Sequence, residues 1–165
     1  MRFLFALTLA FTLAAAAPKA SAREMVAFDG YPPGTIVVKT SERRLYFVTG
    51  HGRALRYPVG VGRAGKAWAG RASVERKLLQ PAWMPPEDIK RENPQLPNYI
   101  YGGAPNNPMG AAVLALNVND YAIHGTNRPD SVGQFVSYGC IRMYNRDILD
   151  LYHMVRVGTP VVVLR

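Results

Sequence analysis

The chain has 165 residues, a formal net charge of +9 and a single cysteine. One thiol excludes an internal disulfide framework, and the length fits one compact domain with a proper core rather than several. The basic balance suits an anionic partner, whether nucleic acid, acidic headgroups or an anionic wall polymer, and equally a solvated surface with no specific partner.

The N-terminus narrows that choice. Arg2 precedes a fifteen-residue apolar run, Phe3 to Ala17, followed by Pro18 and the triplet Ala20-Ser21-Ala22. A basic start, a short apolar stretch and a small-x-small end predict an export peptide over residues 1–22, cleaved after Ala22. The run falls short of the roughly 20 apolar residues that span a bilayer, and no later segment replaces it. The expected location is therefore the periplasm, with no stable membrane span after processing. Arg2 and Lys19 leave with the peptide and no acid does, so the remaining 143 residues carry +7. Export makes nucleic acid an unexpected partner.

Residues 23–33 read as a loose lead-in with Gly30 and two prolines, and the domain proper is expected over 34–165. Thr35–Thr40 and Arg44–Thr49 are rich in β-formers, and Gly50-His51-Gly52 turns the chain into a third strand at Ala54–Val61. Period two puts Leu45, Phe47, Leu55 and Tyr57 on shared sheet faces. Ala72–Leu79 is a weaker strand. Seven prolines between Gln80 and Gly110 mark a long ordered excursion, with a short helix starting at Pro86-Glu87-Asp88. Ala112–Val118 and Tyr121–His124 follow as strands joined at Asn119-Asp120. Asn145–Val155 has helical period, with Ile148, Leu151, Tyr152 and Val155 on one face and Asn145 as N-cap. Val161–Leu164 closes the chain as a buried strand.

Chemistry concentrates between His124 and Met143. Cys140 lies sixteen residues after His124, with Gly139 before it and Arg142 two residues beyond. A thiol needs a neighbouring base to act as a nucleophile at neutral pH, and histidine is the usual one. The Gly139 and Cys140 amides, with Tyr138, are the candidate oxyanion donors. Arg142 can grip a carboxylate or lower the thiol pKa; the rival is an ion pair with Asp147 or Asp150. Gly125, Thr126 and Ser137 are candidate substrate contacts, although Ser137, like Asn127 and Ser131, also suits loop shaping. Tyr46, Trp68, Trp83, Tyr99 and Tyr101 are candidate groove aromatics. His51 and His153 have no ligand partners at metal spacing, and Gly60-Val61-Gly62 lacks a following helix and lysine. No metal and no cofactor are expected.

These motifs resemble a known family. His124-Gly125-Thr126, Ser131-Val132-Gly133 and Ser137-Tyr138-Gly139-Cys140-Ile141-Arg142 together are similar to the signature of the L,D-transpeptidases of bacterial cell-wall synthesis (the YkuD-type, ErfK/YbiS-like domain). Tyr57-Pro58-Val59-Gly60-Val61-Gly62, Trp83-Met84-Pro85-Pro86 and Asn107-Pro108-Met109-Gly110 add to the likeness, which runs from about Pro33 to Leu164. The resemblance implies a mainly β fold, a β-sandwich of mixed sheets with one or two short helices. It implies a main-chain carbonyl near Gly125 as the group that orients His124. It also implies peptidoglycan stem peptides as partners, with an outer-membrane lipoprotein as a further acceptor, and acylation of Cys140 by a carbapenem. Two departures stand out: Tyr138 occupies a position where many members have histidine, and Trp68-Ala69-Gly70-Arg71-Ala72-Ser73 replaces a frequent Thr-Pro-x-Gly. A wall-peptide hydrolase with the same pair, an L,D-carboxypeptidase, and a non-catalytic wall-binding module are the alternatives.

Overall fold

The computed structural model describes residues 23–165; the expected export peptide lies outside the described residues. Eleven strands and two α-helices follow in chain order. The strands before the Pro-rich excursion are β1 (Glu24–Ala27), β2 (Ile36–Lys39), β3 (Arg44–Gly50), β4 (Arg53–Pro58), β5 (Val61–Gly62) and β6 (Gly70–Leu79). Helix α1 (Glu87–Glu92) sits within the excursion. Then come β7 (Ala112–Leu116), β8 (Ala122–His124), β9 (Phe135–Ser137), β10 (Ile141–Arg142), α2 (Asn145–Met154) and β11 (Pro160–Leu164).

Nine strands hydrogen-bond in the order β1-β4-β3-β2-β11-β6-β7-β8-β10, and β5 pairs with β9 apart from them. The sheet is mixed, because β2 with β11 and β8 with β10 run parallel. Strand β6 is long enough to serve both halves. Its first residues pair with β11 and its last with β7. A register shift between Val74 and Arg76 lets one strand turn from one layer into the other, as bulges do. The halves then bury one face against each other. Ile36, Val38, Leu45 and Tyr57 from one half share a core with Leu114, Ile123 and Ile141 from the other. This is the expected mainly β sandwich.

The registers Leu45↔Tyr57 and Phe47↔Leu55 match the period-two reading. Asn119 and Asp120 both adopt positive φ, 49° and 52°, which gives the tight turn between β7 and β8 its hand. Residues 23–33 are not a loose lead-in. Glu24–Ala27 pairs with β4, and Phe28 stacks on Tyr46 with ring centroids 4.4 Å apart, covering a second cluster of Val37, Tyr46, Val48 and Ala54. Pro86 caps α1 instead of occupying its first turn. Helix α2 presents Ile148 and Leu151 to the core, but its N-cap is Tyr144. Asn145 is already helical, and its side chain is used elsewhere. Among the described residues no helix is long and apolar enough to cross a membrane.

Candidate active site

Two adjacent parallel strands assemble the chemistry. Strand β10 lies against β8 with Ile141 opposite Ile123 and Arg142 opposite His124. Both isoleucines are buried in the core. Alternation therefore turns His124 and Arg142 to the other face, and Cys140, two residues before Arg142, shares that face. All three line one cleft of about 570 Å³, walled by Trp83, Met84, Ile89, Met109, Tyr121 and Tyr138. The Pro-rich excursion thus supplies a wall of the cleft.

The imidazole is fixed by its own neighbour. His124 Nδ1 lies 2.6 Å from the Gly125 carbonyl oxygen. A carbonyl only accepts, so Nδ1 carries the hydrogen and Nε2 is left as the bare base. The orienting carbonyl is that of Gly125 itself. Gly125 must be glycine: a Cβ there would lie 2.3 Å from Asn145 Oδ1. That oxygen accepts the amides of Ala111 and Thr126, each at 3.0 Å, tying the loop before β7 to the segment after His124. The sequence marked Asn145 as a helix cap; its work is to join these two loops. Only the position of Asn145 at a helix start signalled that its side chain was engaged.

Burial and the Arg142 charge push His124 down to about 4, against the carbonyls of Gly125 and Pro108, which favour the cation. Burial also raises the Cys140 thiol, while the Ala122 amide and Arg142 pull it down. At neutral pH the resting pair is a neutral thiol beside a neutral imidazole.

Arg142 makes neither expected ion pair. Asp147 faces Arg146 at 3.3 Å, and Asp150 is bound by Arg23 and by the Tyr57 hydroxyl. The Arg142 backbone exchanges two 2.8 Å hydrogen bonds with Gly60, while its Nε is buried without a partner. The guanidinium is held in place and left uncommitted beside the thiol.

The turn before Cys140 is built from short contacts. Gly139 has φ +122°, and a Cβ on it would lie 2.3 Å from the Tyr121 ring, so only glycine fits. Ser137 Oγ donates to the Cys140 carbonyl at 2.6 Å and accepts the Gly139 amide at 3.1 Å. The Gly139 amide, a candidate oxyanion donor, thus already donates to Ser137, and the Ser137 hydroxyl, on a residue that also lines the cleft, spends both its bonds on the turn. Thr126 is likewise buried, its Oγ1 accepting the Arg128 amide at 3.0 Å, and the Gly125 carbonyl faces the imidazole; neither residue is among those that line the cleft of Cys140. The Cys140 N–H has no acceptor among the described residues.

Tyr138 sends its side chain out to α1. Its hydroxyl donates to Glu92, which also takes Arg63 at 2.7 Å, and the Arg63 guanidinium lies 4.3 Å over the Tyr138 ring. Lys66 reaches Asp88 at 3.2 Å on the same helix. Of the groove aromatics named from sequence, Trp83 lines the cleft. Tyr46 belongs to the outer cluster, Tyr99 and Tyr101 pack edge to face and stay exposed, and Trp68 stacks on Tyr121 with ring centroids 5.1 Å apart. Among the described residues no group of three or more His, Cys, Asp or Glu side chains could hold a metal.

Known proteins share this arrangement of sequence. Residues 33–163 match the L,D-transpeptidase catalytic domain family (YkuD). The chain is 38% identical over 138 residues to the probable L,D-transpeptidase ErfK/SrfK of Escherichia coli, a match that takes in 78% of this chain and 43% of that protein. The chain therefore spans less than half the length of that relative. A solved structure from Brucella melitensis, titled a probable carnitine operon oxidoreductase, is 38% identical, with 90% of this chain and 96% of that one covered and a TM-score of 0.58. An L,D-transpeptidase from Mycobacterium smegmatis shares the fold at 17% identity, with a TM-score of 0.62 over 79% of this chain and 58% of that one. With its motif, its sandwich and the family match along most of its length, the chain belongs to the L,D-transpeptidase catalytic domain family.

Proposed function

We propose that the domain is an exported, periplasmic peptidoglycan L,D-transpeptidase acting through a Cys140 thioester. The observation that carries this reading is the placement of Cys140, His124 and Arg142 on one face of the β8–β10 pair, at the floor of a cleft. Cys140 Sγ attacks the carbonyl on the L-centre of diaminopimelate in a donor tetrapeptide stem, and His124 Nε2 takes the thiol proton. The tetrahedral oxyanion is met by the Cys140 N–H, a turn amide left without an acceptor among the described residues. Collapse breaks the bond to D-alanine, whose amine leaves with the proton from His124. An acceptor amine then attacks the thioester and gives a proton to His124; the C–S bond breaks, and His124 returns that proton to the Cys140 thiolate. A diaminopimelate amine gives a cross-link, and a lipoprotein lysine gives an anchor. Arg142 holds a stem carboxylate.

Incubation of the domain with disaccharide-tetrapeptide tests the reaction. The expected products are free D-alanine and a diaminopimelate-linked dimer, both lost in Cys140→Ala. Tripeptide without dimer would favour the hydrolase. No turnover, by a folded protein that still binds wall fragments, would favour the binding module.

A further inference from the structure

Trp68 lies outside the His124–Met143 segment and does not line the cleft, yet its indole Nε1 donates a 2.9 Å hydrogen bond to the Gly139 carbonyl. That carbonyl belongs to the same peptide unit as the Cys140 N–H. A trans peptide is planar, so its C=O and N–H point in opposite directions. Whatever fixes the oxygen fixes the direction of the amide hydrogen. The Tyr121 ring lies against the Gly139 Cα and Trp68 stacks on that ring, so the two aromatics hold this peptide plane by packing and by one directed bond. On the far side, Ser137 takes the Gly139 amide and the Cys140 carbonyl. Every polar group bracketing the Cys140 N–H is committed.

We propose that Trp68 is a positioning residue for acyl transfer: its hydrogen bond to Gly139 aims the Cys140 amide at the developing oxyanion. The inference rests on the acyl-transfer reading of Cys140. Trp68 touches neither substrate nor sulfur and acts through the peptide plane. Loss of the bond leaves the thiol and its base in place and lets the plane rock, which weakens the interaction that grows in the transition state.

Two reactions of one thiol separate this role from a structural one. Opening of a carbapenem by Cys140 passes through a tetrahedral oxyanion, whereas alkylation by iodoacetamide is a direct displacement at carbon and makes none. Trp68→Phe keeps a ring to stack on Tyr121 and removes the N–H. The expected result is a carbapenem acylation rate constant lower by about ten- to a hundredfold, with the iodoacetamide rate within about twofold of wild type under the same conditions. Tyr46→Phe, which removes an aromatic hydrogen-bond donor from the outer cluster and touches neither the cleft nor Gly139, serves as the control and shows no such split. Equal losses in both reactions, or no loss in either, would overturn the role of Trp68. Thermal unfolding of each variant reports whether the fold is intact; should Trp68→Phe not fold, an isosteric benzothiophene analogue at position 68 asks the same question. A wild-type domain that is alkylated at Cys140 but never acylated would contradict the acyl-transfer reading itself, and the two failures are thereby told apart.

Discussion

The interior of the long sheet and its β10 edge use the same strand chemistry differently. In the interior β2 is paired along its whole length, parallel to β11 and antiparallel to β3, and Ile36, Val37 and Val38 are all fully buried. At the edge β10 has two residues, one strand neighbour in β8 and a single bridge to Gly60. Beside it lie buried polar groups: His124, Thr126 and Ser137, with the Arg142 Nε unpartnered. The interior stabilises the domain by burial of apolar surface. The edge gives up ladder bonds and apolar packing, and in exchange leaves the Cys140 amide and the Arg142 Nε without a partner among the described residues. Stability and chemistry are placed apart, so they should be separable by mutation.

The largest separation should come from His124→Ala. Removal of the base is expected to lower acylation of Cys140 by about 10²- to 10⁴-fold while the circular dichroism spectrum stays that of the folded domain. Wild-type acylation in that variant would remove His124 from the mechanism. The converse change is Leu45→Ala, at a fully buried core position. It should cost about 2–5 kcal/mol in urea unfolding and leave the acylation rate per folded molecule unchanged. A large rate loss in fully folded Leu45→Ala would show that the two regions are not independent.

Acid provides a third way to set the two regions apart. His124 titrates at its ordinary 6.5 when unfolded and at about 4 when folded, so the unfolded chain holds more protons between those values. Stability contributed by the neutral ring is complete above the upper value and is lost as pH falls through the window, by about 3 kcal/mol in total. Urea unfolding at pH 7 and pH 4.5 should show this loss in wild type and a smaller one in His124→Gln. Equal losses in both proteins would mean that the buried ring is not the acid-sensitive group. The smallest effect is expected at Tyr138→Phe, which releases the solvent-exposed Glu92 clasp on α1. The unfolding midpoint should hardly move, because exposed pairs contribute little, but protease cleavage within residues 86–110 should quicken. Unchanged cleavage would show that the clasp does not hold the Pro-rich wall.

The same contrast explains what could be read from the sequence. The apolar strands announced themselves, because alternation and β-branched residues at Ile36–Val38 or Val161–Val163 are local signals. Strand β1 did not, since Glu-Met-Val-Ala at an exposed edge carries no pattern, and its place is decided by pairing with β4 and by Phe28 on Tyr46. The two-residue β10 is likewise invisible to periodicity. At the site, Cys140 and His124 were legible as a thiol and a base, but spacing could not show that they share a face. That follows from the parallel register of β8 and β10. Asn145 was misread because an asparagine before an amphipathic run suits a cap; its oxygen is taken instead by two amides from distant loops. The bonds that the Ser137 and Thr126 hydroxyls make within their own turns were equally illegible, because they depend on backbone geometry rather than on residue type.

The most direct test of the central claim is the mass of the intact domain, acid-quenched during reaction with a disaccharide-tetrapeptide donor and then mapped by peptide digestion. One acyl group on Cys140, lighter than the donor by one D-alanine and absent from Cys140→Ala, is the expected result. A folded wild-type domain that releases D-alanine without ever carrying the acyl group, or carries it on another residue, would contradict the assignment of Cys140 as the nucleophile.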